Sequence, residues 1–127
     1  MTLFRKKSDA IQLGRKAALK FTPVRNLQVT EERLESGEII VRYPVTMRPW
    51  IASLVKRLGG SAGRIQTKPL QLDRLGTEVW ELIDGNRSVG RIIEVFAETH
   101  SLQLREAEVA VSQFIRQLGH LGLIGMR

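Results

Sequence analysis

Three apolar-periodic segments, separated by helix-stopping punctuation, occupy residues 73–118 and commit the C-terminal half of this 127-residue chain to helices. Asp73 can cap the first, which carries Val79, Trp80, Leu82 and Ile83 before Asp84-Gly85, where glycine accepts the left-handed conformation of a C-terminal stop. Ser88 caps the second. That helix puts Val89, Ile92, Ile93, Phe96 and Ala97 on one face and ends near His100, before a loop at 101–104. The third starts near Arg105 and carries Ala107, Ala110, Val111, Phe114, Ile115 and Leu118. At ~100° per residue these six positions span about 140°, wider than the ~100° stripe that packing on one core requires. Part of that face is left for another contact.

The N-terminal half follows a different period. Leu27 and Val29 alternate with polar residues, Glu35-Ser36-Gly37 makes a turn, and 38–43 is rich in β-branched and aromatic side chains, which predicts a hairpin. A third strand is expected at 64–72, where Ile65 and Thr67 alternate before Pro69. Proline sits only where no ladder donor is needed, so this is an edge strand with open hydrogen bonds. Between strands two and three, 48–60 reads as a short basic amphipathic helix: Trp50, Ile51, Leu54, Val55 and Leu58 share a face, Pro49 suits its start and Gly59-Gly60 its stop. Residues 8–21 can form a marginal helix that Pro23 ends. The expected fold is α+β and winged helix-turn-helix-like: a three-stranded antiparallel sheet followed by three helices, with an inserted amphipathic helix between strands two and three. Residues 1–22 are a basic extension, and 23–127 form one domain with an insert at 44–63.

Composition removes whole classes of function. With no cysteine, disulfide scaffolds, thiolate metal sites and thiol catalysis are excluded. No apolar run approaches the ~20 residues of a membrane span, and no secretory leader pattern opens the chain, so a cytoplasmic location is expected. The net charge of +7 is unevenly spread. Residues 1–25 carry seven basic side chains against one acid and 42–74 again seven against one, whereas 26–41 carry one against four and 75–127 five against seven. The helical half is mildly acidic.

Candidate chemistry is sparse. Gly59-Gly60-Ser61-Ala62-Gly63 matches G-x-S-x-G, but a helix precedes it and a strand follows, the inverse of a nucleophile elbow. His100 and His120 lack metal-ligand spacing, and Glu78 and Glu81 read as a solvated, ion-paired face with Arg74. Asn86-Arg87-Ser88 is a turn and helix cap. No catalytic residue, metal site or cofactor is expected. A winged-helix DNA-binding regulator is the alternative reading, but on the third helix Glu106 and Glu108 would face phosphates, and only Arg116, Gln113 and Gln117 resemble base readers. A membrane-surface module using Trp50 and the basic residues around it is a third.

The run Leu70-Gln71-Leu72-Asp73-Arg74-Leu75-Gly76-Thr77-Glu78-Val79-Trp80-Glu81-Leu82-Ile83-Asp84-Gly85, then Arg87-Ser88-Val89, 114–118 and Gly122-Leu123-Ile124, resembles the coenzyme PQQ synthesis protein D (PqqD)-like family, whose domains are also called RiPP recognition elements. The resemblance covers roughly 24–124. It implies a non-catalytic adaptor or peptide chaperone that binds the leader segment of a ribosomally made precursor and presents it to a modifying enzyme, such as a radical SAM protein, in PQQ or other peptide biosynthesis. It also implies that the peptide adds beside strand three and against helix three. The groove positions are then Arg64, Ile65, Gln66, Thr67 and Lys68 on the strand and Val111, Ile115 and Leu118 on the helix, with Arg64 and Lys68 favouring an acidic peptide. The insert and the basic arm depart from the family pattern. An open edge strand also permits a homodimer.

Overall fold

The computed structural model describes residues 15–44, 57–59 and 67–127. In chain order these form strands β1 (Pro23–Arg25), β2 (Thr30–Arg33), β3 (Ile39–Pro44) and β4 (Thr67–Gln71), helices α1 (Arg74–Leu82), α2 (Val89–His100) and α3 (Leu104–His120), and strand β5 (Ile124–Met126), preceded by a helical stretch at 15–20. The class is α+β, with an antiparallel three-stranded sheet β2-β3-β4 followed by three helices. The described residues divide into two compact units, one comprising 15–26 with Leu75–Arg127 and the other lying within Leu27–Arg74. Among them no helix is long and apolar enough to cross a membrane.

In the sheet unit, β2 and β3 form the expected hairpin. Gly37 takes φ +91, the region a glycine enters freely, and Leu34 and Glu38 close the turn through a 2.8 Å backbone bond. Alternation along β3 buries Ile39 and Val41, and Leu72, opposite Ile39 just past the end of β4, is buried with them. The opposite face is polar: Arg42 lies 3.6 Å from Glu32, and the Gln71 amide donates to Glu38 at 3.2 Å. The inserted amphipathic helix lies outside the described residues except at 57–59, where helix gives way to turn and Gly59 takes φ +79.

The first strand corrects the sequence reading. Alternation at Leu27 and Val29 suggests that both belong to the first hairpin strand, yet Leu27 is 101% exposed and sits in a turn. The chain is instead cut in two. β1 joins the helical unit, pairing antiparallel with β5 through Pro23↔Met126, Val24↔Gly125 and Arg25↔Ile124, and only β2 stays with the hairpin. Reciprocal 3.0 Å bonds between Thr22 and Arg127 and a 2.9 Å bond from Asn26 N–H to the Leu123 carbonyl extend this ribbon. Alternation over two residues cannot tell a strand from a turn, and the partner of β1 lies about a hundred residues away.

The helical unit follows its pattern closely. α2 buries Val89, Ile92, Ile93, Phe96 and Ala97, the predicted face, and packs on α3. Ser88 caps it, its Oγ accepting from the Arg91 N–H at 3.1 Å. Ser101 ends it at φ 52, a left-handed conformation that costs a residue with a Cβ and frees the Leu102 N–H to reach the Ala97 carbonyl at 2.9 Å. α1 buries Gly76, Thr77, Val79 and Trp80, and the Arg25 guanidinium lies 4.6 Å over the fully buried Trp80 ring while donating to the Trp80 carbonyl.

Candidate functional site

Sheet order places β4 at a margin. The Leu72 N–H donates to the Ile39 carbonyl at 2.8 Å, which fixes the phase of the ladder, since inward-bonded pairs of an antiparallel ladder recur at every second residue. Leu70 opposite Val41 and Lys68 opposite Tyr43 therefore point their backbone groups at β3, and Thr67, Pro69 and Gln71 point theirs outward. Among the described residues no strand pairs with that outer side. Thr67 and Gln71 each present an N–H and a carbonyl there, while Pro69 presents a carbonyl alone. All three are exposed, as is Lys68.

The other margin is built differently. By the same logic, the 2.8 Å bond from Leu34 N–H to the Glu38 carbonyl turns Glu31 and Arg33 outward on β2. All four β2 residues are exposed and three are charged, a composition that discourages strand pairing.

Of the residues singled out by sequence, Thr67 and Lys68 open β4, Thr67 facing the margin and Lys68 facing β3 with its backbone. Arg64, Ile65 and Gln66 lie outside the described residues. Val111, Ile115 and Leu118 are 0, 4 and 0% exposed, so the chain itself buries them. Ala107, Leu118, Val111 and Ile115 together span about 80° of the α3 circumference, which leaves the rest of the 140° apolar arc to Ala110, exposed, and Phe114, half-buried. These two positions are the part of the over-wide apolar face that the helical unit leaves accessible.

The opposite flank of α3 borders a pocket of about 690 Å³ in the helical unit. Leu19, Val89, Val109 and Met126 supply apolar lining, and Arg105 and Arg116 basic groups. Arg15 pairs through Nε and a terminal nitrogen with Glu108, which raises the Arg15 pKa, and Arg105 lies 3.8 Å from the same carboxylate. Of the α3 cations, Arg105 is thus partly committed within the unit. His100 Nε2 pairs with Glu78 across α1 and α2, its ring 4.6 Å from that of Phe96. Among the described residues no group of three or more His, Cys, Asp or Glu side chains is placed to hold a metal ion.

Residues 63–124 match the model of the family Coenzyme PQQ synthesis protein D (PqqD). The chain is PqqD-like over that span, which takes in β4, all three helices and the start of β5. No curated protein and no solved structure gives a significant match.

The residues that carry this likeness are largely structural. Asp84 Oδ1 accepts from the N–H groups of Asn86 and Arg87, both at 2.9 Å, and Gly85 takes φ +82 between them. Arg87 reaches back to Asp84 Oδ2 at 3.1 Å and to the Leu82 carbonyl at 3.3 Å. The Asp-Gly pair of the motif is therefore the turn between α1 and α2. The Asn86 and Arg87 bonds hold the Asp84 carboxyl below its ordinary value of 3.8.

Proposed function

We propose that the chain is a non-catalytic peptide-binding adaptor, which takes up the leader segment of a ribosomally made precursor as an extra strand along β4 and presents it to a separate modifying enzyme. PQQ synthesis is the process the family description attaches to such a chain. The observation that carries the reading is the outer margin of β4, with the backbone groups of Thr67 and Gln71 directed away from β3. Strand addition uses such groups for affinity and side-chain contacts for specificity.

Magnitudes show what else the site needs. About five outward backbone groups at roughly 1 kcal/mol net each fall short of the about 8 kcal/mol of a micromolar complex. Apolar burial supplies the remainder. Leu70, half-buried on β4, is one source. Lys68 favours acidic peptides and makes association faster at low salt.

Selection of a displayed library of acidic 12-residue peptides against the full chain, followed by titration of the recovered peptide, tests this reading. Gln71→Pro removes one outward donor and leaves the ladder to β3 untouched. It is expected to weaken binding about tenfold, the equivalent of one backbone bond at the upper end of its range, with thermal stability lowered only slightly by loss of the exposed Gln71–Glu38 side-chain bond. Failure to recover any peptide, or equal affinity of the variant, contradicts the proposal.

A further inference from the structure

We infer that Pro69 determines which strands the β4 margin accepts: it bars a second copy of this chain from pairing through the same edge and leaves the margin to a foreign strand. The part concerning the foreign strand rests on the adaptor reading, whereas the part concerning the second copy rests on the ladder alone. Pro69 is one of the three residues whose backbone faces outward, so its missing N–H is missing on the side where a partner would lie. Its ring occupies the space through which an added strand approaches.

The cost differs between the two kinds of partner. When two copies pair antiparallel through β4, each contributes its own Pro69, and every register that uses all three outward residues loses two ladder bonds. In the symmetric register Pro69 faces Pro69 of the second copy, with two rings opposed and no donor between them. A foreign strand without proline at that position meets one ring and loses one bond. The same substitution at an inward position, Leu70 or Lys68, would break the ladder to β3 instead, so position 69 blunts the edge without cost to the sheet.

The margin thereby avoids the usual liability of an exposed edge, edge-to-edge self-association, by a device that leaves Thr67 and Gln71 free to bond. The β2 margin is guarded by charge, with Glu31, Glu32 and Arg33 exposed; β4 carries a single charge, Lys68. Charge on β4 would also repel or select against part of the peptide repertoire, whereas the missing donor acts on backbone alone.

Sedimentation equilibrium of the full chain tests this without any peptide, so its failure is separable from failure of the adaptor reading. Pro69→Thr restores the donor and removes the ring, and is expected to self-associate at least tenfold more tightly than the wild type. Pro69→Ala is expected to do the same and serves if the threonine variant folds poorly. Adding Thr67→Pro to Pro69→Thr moves the missing donor to another outward position and should return the chain to wild-type behaviour. Variants that sediment as the wild type, a double variant that associates as tightly as the single one, or a wild type already paired at low micromolar concentration would each overturn the inference.

Discussion

Arg25 and Asp84 show how single side chains hold the helical unit together. The Arg25 guanidinium covers the Trp80 ring at 4.6 Å and bonds the Trp80 carbonyl, tying β1 to α1. Arg25→Ala is expected to cost about 2–4 kcal/mol, the sum of a partly desolvated cation–π contact and a charged hydrogen bond, read as a lowered denaturation midpoint at constant slope. Asp84 acts through pH. Its folded pKa lies below the ordinary 3.8, so between those two values the unfolded chain binds more protons. The contribution is full above about pH 4 and is lost as pH falls through the depressed folded value. Stability measured from pH 5 down to pH 2 should therefore fall less steeply in Asp84→Ala than in the wild type; equal slopes would contradict the assignment. The residue scale also separates the two sides of α3. Val111, Ile115 and Leu118 lie on the side of the apolar arc of α3 that the chain buries, and Ala110 and Phe114 lie on the other side, where Ala110 is exposed and Phe114 half-buried.

At the scale of elements, whatever is encoded locally was legible. The Ser88 cap, the Gly85 turn, the buried face of α2 and the Gly37 hairpin all depend on residues within about four positions of one another, and each appears where its pattern puts it. The edge placement of β4 was legible for the same reason, since Pro69 excludes a central position. The β1–β5 ribbon was not. Its strands are three residues each, too short to show a period, and their pairing is set by closure between the two ends of the described chain. Two helix ends yield tests. Ser101 holds a left-handed conformation at φ 52, so Ser101→Gly should stabilise the chain by about 0.5–1 kcal/mol, seen as a raised melting temperature. Ser88→Ala deletes the cap bond to Arg91 and should destabilise it by about 1 kcal/mol.

For the molecule as a whole, the fold class and the family likeness over 63–124 were within reach of the sequence because one motif run sets out a strand, a turn and helix starts in order. The proposed strand-addition margin follows from a proline and a sheet order, whereas which flank of α3 stays accessible is a tertiary outcome that periodicity does not encode. The most direct measurement of the central claim is amide hydrogen exchange on the full chain, with and without a peptide recovered by selection. The account predicts that the Thr67 and Gln71 amides exchange freely in the unbound chain and become protected on binding, while those of Glu31 and Arg33 on the opposite margin do not change. Protection confined to β2, or Thr67 and Gln71 amides that exchange at the same rate with and without peptide, would contradict it.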